Sequence, residues 1–380
     1  MVLVTGPRQA GKTTFLRAEA GADAAFVSFD DPAQRELARV DPVALFDSLN
    51  GRSAIFDEVQ YVPELLPRIK RIVDDDPERY GRFLLTGSQQ FGLMAGVSES
   101  LAGRVAVVDL LPFSVLELEQ AGERSLAEFV WTGGYPDPAL HPAKRELWLS
   151  GYLQTYIERD VRQVRDIQDL RTFEGFLALT ASRHGQELNL ANLCRDIGIT
   201  IPTARAWISV LAASWLVALL PPWHVNLGKR VVKAPKLYFL DSALVCALTR
   251  VGSPEAALAG PLAGPLFEGV VVSESMKLFA AAGRRPALWH WRAQDGLEVD
   301  MLVEVGGRLI PVEIKVTATP TARHADSLQR FRRLLPSAEP GFVVCNCAAR
   351  QPLGGGVEAI PWKLWSEMLA GWLGIAGLPQ

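Results

Sequence analysis

Apolar and polar positions fall in short blocks along the N-terminal third of this chain. The run Met1-Val2-Leu3-Val4-Thr5 predicts a buried strand, and a glycine-bearing loop then leads into a helix start at 15–20. Further short apolar runs at 25–29, 53–56, 82–90 and 105–108 predict strands, the third with a polar tip. Asp30-Asp31-Pro32 starts a helix after the second strand, and 101–104 closes one before the last. Strands alternating with helices predict a parallel sheet with helical crossovers, an α/β domain over residues 1–112.

The pattern changes after Pro112. A turn and short helix at 112–119 and a Gly- and Pro-rich linker or hinge at 133–142 precede a long helical region at 144–171. A helix at 188–199 stopped at Gly198, then one at 200–211 with Thr200 as cap and an early Pro202, form a helix-turn-helix pattern. Strands at 216–221 and 231–240, joined through 226–230, complete the outline of a winged helix within residues 113–252. The Gly, Ala and Pro of 254–265 mark a boundary. The third domain, 253–380, reads as a helix at 266–282, strands at 287–291, 297–304 and 309–316, a helix at 323–335 and a strand at 341–345. Gly306-Gly307 joins two of these strands as a hairpin.

Composition narrows the picture slightly. Of 380 residues, 49% are hydrophobic and 21% charged, enough apolar material for several cores. A formal net charge of -3 gives no global nucleic-acid signature, so any DNA contact must come from a local patch. Five His and four Cys leave little for a zinc site, and Cys345 and Cys347 read as part of a buried strand. The longest apolar run, 208–220, is shorter than the roughly 18 residues a membrane span needs. With no leader pattern at the N-terminus, these features predict a soluble cytoplasmic protein.

Candidate chemistry is densest at the first loop. Gly6, Gly11, Lys12 and Thr13 fill the fixed positions of G-x-x-x-x-G-K-[ST], between a strand and a helix as that motif requires. Glycines there let backbone N–H groups turn inward, so that Gly6, Pro7, Arg8, Gln9, Ala10, Gly11, Lys12, Thr13 and Thr14 surround a phosphate chain, and the helix dipole adds positive potential. Lys12 would reach the β- and γ-phosphates of ATP and Thr13 would ligate Mg²⁺. The third strand empties into Asp57 and Glu58, the first to hold the metal and the second to polarise water. The 82–90 strand suits a place between those of the loop and Asp57, with Ser88 or Gln89 sensing the γ-phosphate. Arg104 is either a finger that stabilises transition-state charge, in cis or in a neighbouring subunit, or a helix C-terminal cation.

The strings GPRQAGKTT, FDEVQ, LLTGS, SLAGRV and LLPFS resemble the prokaryotic AAA-type P-loop ATPases that carry a C-terminal domain of unknown function. Gly133-Gly134-Tyr135-Pro136 and the stretch from Trp148 through Val161 resemble that family's linking helix in order and spacing, so the similarity spans essentially the whole chain. It implies an AAA (ASCE) ATPase domain, a winged helix and a restriction-endonuclease-like domain. Members of the family carry a segment ahead of the first strand that helps enclose the adenine; here the chain starts on the strand, so either the start is truncated or base recognition is built differently.

Arg159, Asp160, Arg162, Arg165 and Asp166 read as a solvated helix face, or Arg159 or Arg162 reaches the nucleotide or an adjacent subunit. The second helix of the helix-turn-helix offers Arg205, while Lys229, Arg230, Lys233 and Lys236 sit on or near the wing. That suits phosphate contacts with DNA better than base readout, or a docking role with a protein partner or a second subunit. In the third domain Asp300 on one strand and Glu313-Ile314-Lys315 on the next, with Glu268 on the preceding helix, resemble the PD-(D/E)xK nuclease core. The resemblance implies metal-assisted phosphodiester hydrolysis, with Asp300 and Glu313 on Mg²⁺, Glu268 assisting and Lys315 orienting water. The alternative is a nuclease-like fold without activity, its acids merely paired with lysine.

Overall fold

The computed structural model describes residues 1–87, 101–156, 170–224, 234–293 and 295–375. They divide into two compact units, Met1–Pro112 with Ala213–Trp215, and Phe113–Ala212 with Leu216–Gln380.

In the first unit the chain runs β1 (Val2–Thr5), α1 (Lys12–Glu19), β2 (Ala25–Ser28), α2 (Pro32–Val40), α3 (Pro42–Ser48), β3 (Ala54–Asp57), α4 (Leu66–Asp74), β4 (Phe83–Thr86) and β5 (Ala106–Asp109). The strands form one parallel sheet in the order β2-β3-β4-β1-β5, so β4 lies between the strands of the glycine loop and of Asp57, as the sequence predicts. Asp31 and Asp41 cap α2 and α3, each followed by proline at the first helical turn, where its missing N–H costs nothing. Phe29, one residue past β2, and Phe56 and Phe83 on β3 and β4 are fully buried, and the Phe56 and Phe83 rings stack with centroids 5.7 Å apart. This aromatic layer fixes β3 beside β4; Phe56→Ala would cost about 3–5 kcal/mol. A smaller cluster of Val4, Leu16 and Ile55 seats α1 on the strands and so aims the loop between β1 and α1. Residues 102–104 form a turn, and the helix that 101–104 were expected to close lies outside the described residues.

The second unit opens with α5 (Val115–Glu119) and α6 (Leu126–Thr132), each started by a Ser–Glu capping box, then α7 (Pro136–Leu140) and α8 (Arg145–Thr155). The Gly- and Pro-rich stretch expected as a hinge is instead a packed corner. Tyr135 is 1% exposed, and a Cβ on Gly133 would sit 2.1 Å from Oδ1 of buried Asp241. Next come α9 (Leu170–Ser182), β6 (Gln186–Glu187), α10 (Leu190–Ile197), α11 (Ile201–Ala213), β7 (Val217–Leu220) and β8 (Lys236–Phe239), with a three-stranded antiparallel sheet ordered β6-β8-β7. Gly198 ends α10 at φ 81, a left-handed position open to glycine. Trp207 of α11 packs edge-on against Phe173 and Phe176 of α9, both 5.1 Å away.

Then follow α12 (Ser242–Leu248), α13 (Pro254–Ala259) and α14 (Ala263–Ala281), with α13 inside the stretch expected as a boundary. Strands β9 (Leu288–Arg292), β10 (Glu298–Val305) and β11 (Arg308–Lys315) precede α15 (Asp326–Leu334), β12 (Phe342–Cys345), β13 (Gln351–Gly354), β14 (Val357–Pro361) and α16 (Trp362–Leu373). The sheet order is β13-β14-β12-β11-β10-β9. Gly306 and Gly307, at φ 58 and 74, make the two-residue turn between β10 and β11. Cys345 and Cys347 are buried free thiols. One apolar core runs from Val115 to Leu373, and Trp365 of α16 donates to Ser275 Oγ of α14 at 3.0 Å.

Candidate functional site

Two clusters of sequence-predicted site residues assemble, one in each unit. In the first, the loop after β1 turns on three residues of positive φ: Gly6 at 138, Gln9 at 59 and Gly11 at 94. Glycine at position 6 is compelled twice over, because a Cβ there would also lie 2.0 Å from the Leu110 carbonyl oxygen. Gly11 is the N-cap of α1, so the helix begins at Lys12 with its first N–H groups facing the loop. Lys12 is 6% exposed and donates to the carbonyls of Gly6 at 3.1 Å and Pro7 at 2.8 Å, holding its ammonium inside the loop.

Asp57 ends β3 at the carboxyl edge of the sheet, where open α/β sheets bind ligands. Its Oδ1 accepts from Thr13 Oγ1 and Thr86 Oγ1, both at 2.7 Å, and Oδ2 accepts from Ser28 Oγ at 3.3 Å. The acid is thus held by hydroxyls from α1 and from both neighbouring strands. One hydroxyl and one carboxylate beside a phosphate-shaped loop suit Mg²⁺, which takes oxygen ligands, retains waters and draws further ligands from phosphates. Glu58 follows at φ 58, ψ 46, a left-handed conformation costly for a side-chain-bearing residue. Its N–H donates to Thr86 Oγ1 at 3.0 Å and its carboxylate accepts from Gln60 Nε2. Sequence reading did not find the Ser28 and Thr86 contacts; a hydroxyl residue at the last position of adjacent strands is the signal it passed over.

Arg104 stands elsewhere. Its backbone flanks Met1 at the start of β1, the opposite end of the strands from the loop, and its guanidinium pairs with Asp74 at the end of α4. That position points it away from the loop of its own chain. Ser88, Gln89, Arg159, Arg162, Lys229, Arg230 and Lys233 lie outside the described residues.

In the second unit, the pairing of Met301 with Val312 brings Asp300 and Glu313 to one face of the β10–β11 hairpin. Lys315 Nζ lies 2.6 Å from Glu313 Oε1 and 3.2 Å from Asp300 Oδ2. Asp300 Oδ2 also accepts from Ile314 N at 2.8 Å, and Glu313 Oε2 accepts from Ser327 Oγ of α15 at 2.7 Å. Glu268 reaches the same region from α14, where its Oε1 accepts from Lys236 Nζ at 2.8 Å and from Tyr238 Oη. Lys236 also contacts Glu298 Oε1 at 2.5 Å. Lys236, expected on the wing for phosphate contact, is therefore buried, because β8 runs beside β6 and β7 and faces α14. Arg205 stays exposed on α11.

Burial, and then the charge of Asp300, push the Glu313 carboxyl up to about 7, and the same two causes raise Glu268. Burial works against the ammonium groups of Lys236 and Lys315, but the surrounding acids outweigh it and hold both above the ordinary lysine value. Glu268, Glu313 and both lysines shift upward because carboxylates outnumber ammonium groups around them, whereas for Glu298 burial opposes the charge but Lys236 outweighs it and holds that carboxyl below the ordinary glutamate value. Among the described residues no group of three or more His, Cys, Asp or Glu is arranged to hold a metal ion. None of their helices is long and apolar enough to cross a membrane.

Three domain families match the chain: an AAA domain over residues 1–119, a domain of unknown function (DUF8612) over 123–255, and another (DUF4143) over 263–365. The uncharacterized proteins Rv2008c of Mycobacterium tuberculosis and Mb2031c of Mycobacterium bovis are each 35% identical over 325 residues, 84% of this chain and 71% of theirs. Among solved structures, a RuvB variant of Thermotoga maritima is 18% identical, covering 58% of this chain and 82% of its own at a TM-score of 0.30. A Vibrio cholerae protein is 12% identical over 100% of this chain and 99% of its own, at a TM-score of 0.24. Neither overlay is close enough to carry weight.

Proposed function

This chain belongs to the family of AAA-domain proteins that carry a C-terminal domain of unknown function, and on that premise we propose that it is a Mg²⁺-dependent ATPase. The observation that carries the reading is the hydrogen-bonded set of Lys12, Thr13 and Asp57 on a glycine loop and a neighbouring strand end. Residues 6–14 receive the triphosphate, with Lys12 moving from the Gly6 and Pro7 carbonyls onto the β- and γ-phosphates. Thr13 and Asp57 hold Mg²⁺, which when bound neutralises phosphate charge. Glu58 orients and polarises the attacking water. Thr86 ties the backbone of Glu58 to the carboxylate of Asp57, so displacement of one is felt by the other. Ser88 senses the γ-phosphate, and Arg104 acts as a finger in a neighbouring subunit of a homo-oligomer, a role its distance from its own loop favours over one in cis.

We assign three domains, 1–112, 113–252 and 253–380. The order α9-β6-α10-α11-β7-β8 supports a winged helix, and α14-β9-β10-β11-α15-β12 with Asp300, Glu313 and Lys315 supports a PD-(D/E)xK-like fold. Nucleotide state then governs how these two modules engage DNA, with Arg205, Lys229 and Arg230 meeting phosphates in the cytoplasm. A second reading, a nucleotide-gated scaffold for a protein partner that cuts nothing, is favoured by one observation: lysines already occupy the acids of the nuclease-like site. ATP turnover in the wild type and in Lys12→Ala tests the first reading; turnover that survives the substitution ends it. DNA binding that weakens with salt and fails in Lys229→Ala/Arg230→Ala separates the first from the second.

A further inference from the structure

Four carboxylates, Glu268, Glu298, Asp300 and Glu313, meet two ammonium groups where β8 passes α14 and the β10–β11 hairpin. The two lysines reach this cluster by different routes. Lys315 belongs to the hairpin itself. Lys236 comes from the three-stranded sheet, where its backbone is paired on both sides, with Glu187 of β6 and Leu220 of β7. We propose that Lys236 is an internal cation that holds this carboxylate site in place of a divalent metal, so that lysine and metal exclude one another.

The contacts around Lys236 argue for this directly. Its side chain is 6% exposed and bridges Glu268 on one side and Glu298 on the other. Tyr238, two residues along the same strand and therefore on the same face, donates to the oxygen of Glu268 that Lys236 already engages. Strand β8 thus delivers two donors to one carboxylate, as a strand built to cap that acid would.

The rest of the cluster is closed in the same manner. Lys315 takes Asp300 and Glu313, Ser327 takes the second oxygen of Glu313, and the Ile314 amide takes Asp300 Oδ2. A hard divalent ion asks for about six oxygen ligands with lone pairs turned toward it. Here one oxygen each of Glu268, Glu298 and Asp300 and both oxygens of Glu313 face N–H or O–H donors, and no metal-holding group of three exists among the described residues. A metal that takes this oxygen of Glu268 enters only if Lys236 leaves it. The acids of the nuclease-like site then serve to clasp the three-stranded sheet to α14 and the hairpin.

This clasp is independent of the P-loop, and its test uses nucleotide-free protein so that failure of the ATPase reading leaves it standing. Mn²⁺ binding to the full chain is measured by electron paramagnetic resonance. Lys236→Gln is expected to bind one Mn²⁺ at least about tenfold more tightly than wild type, since a unit charge at close range has been removed. Lys236→Arg keeps the wild-type value, and Lys236→Gln/Glu268→Gln returns to it. Wild type binding Mn²⁺ as tightly as Lys236→Gln overturns the proposal. Should Lys236→Gln fail to fold, wild type against Glu268→Gln decides. Equal binding in those two supports the proposal, and a wild-type Mn²⁺ site lost in Glu268→Gln overturns it.

Discussion

The two polar clusters of this chain draw on the same side chains, lysine, carboxylate and hydroxyl, and arrange them in opposite ways. At the edge of the first sheet the carboxylate of Asp57 is held by the hydroxyls of Thr13, Ser28 and Thr86, while Lys12 turns its ammonium onto the carbonyls of its own loop. In the second unit Glu268, Asp300 and Glu313 each touch an ammonium group. A hydroxyl orients a carboxylate and leaves its charge in place; an ammonium cancels it. An acid near a lysine in sequence is therefore ready for a metal only when something other than the lysine holds it.

The largest effect that sharpens the contrast is expected at Glu58. Glu58→Gln should lower ATP turnover by about 10²–10⁴-fold with nucleotide binding preserved, the ordinary contribution of a positioned base. Steady-state hydrolysis and equilibrium binding measured together check it, and wild-type turnover would remove Glu58 from the reaction. Gly6→Ala comes next. With φ 138 and a backbone oxygen 2.0 Å from the new Cβ, it should destabilise the first unit by about 1–3 kcal/mol or more in urea unfolding. Gly21→Ala, at φ 74 with nothing within 4 Å, carries the conformational strain alone and should cost only about 1–2 kcal/mol. Equal losses would deny the loop its close packing.

The smallest expected effect lies in the second cluster. Asp300→Asn removes a like charge from beside Glu313 and should bring its carboxyl down from about 7 by about one pK unit or more, read by ¹³C NMR of the side chain. An unchanged titration would mean that burial alone sets the value. The folded chain keeps the Glu313 proton up to about 7, well above the ordinary glutamate value. Its contribution to stability is therefore full below the unfolded value and is lost as pH rises through about 7. Asp300→Asn should narrow that window from its upper end.

Much of the first unit was legible in sequence because the motif and its flanks constrain each other. A strand, a glycine loop and a helix leave one place for Lys12 and Thr13, and the placement of β4 beside β1 follows. The left-handed backbone of Glu58 was not legible, since no residue type announces it and the Thr86 hydroxyl that its amide meets comes from another strand. Lys236 was misplaced for a related reason: strand periodicity gives a face, and tertiary packing decides whether that face meets water or Glu268. Strand β13, with Pro352 and Gly354, carries little alternation and pairs only through its register with β14. The helix α16 was readable in principle, because Trp362, Trp365, Leu369 and Leu373 repeat at helical spacing and all four are buried.

The most direct measurement counts Mn²⁺ on the full chain bound to a non-hydrolysable ATP analogue, in wild type, Asp57→Asn and Glu313→Gln. One tight Mn²⁺, weakened in Asp57→Asn and unchanged in Glu313→Gln, is the predicted result. Two tight Mn²⁺ in wild type, the second lost in Glu313→Gln, would contradict the claim that hydroxyls leave one acid open to metal while lysines close the other.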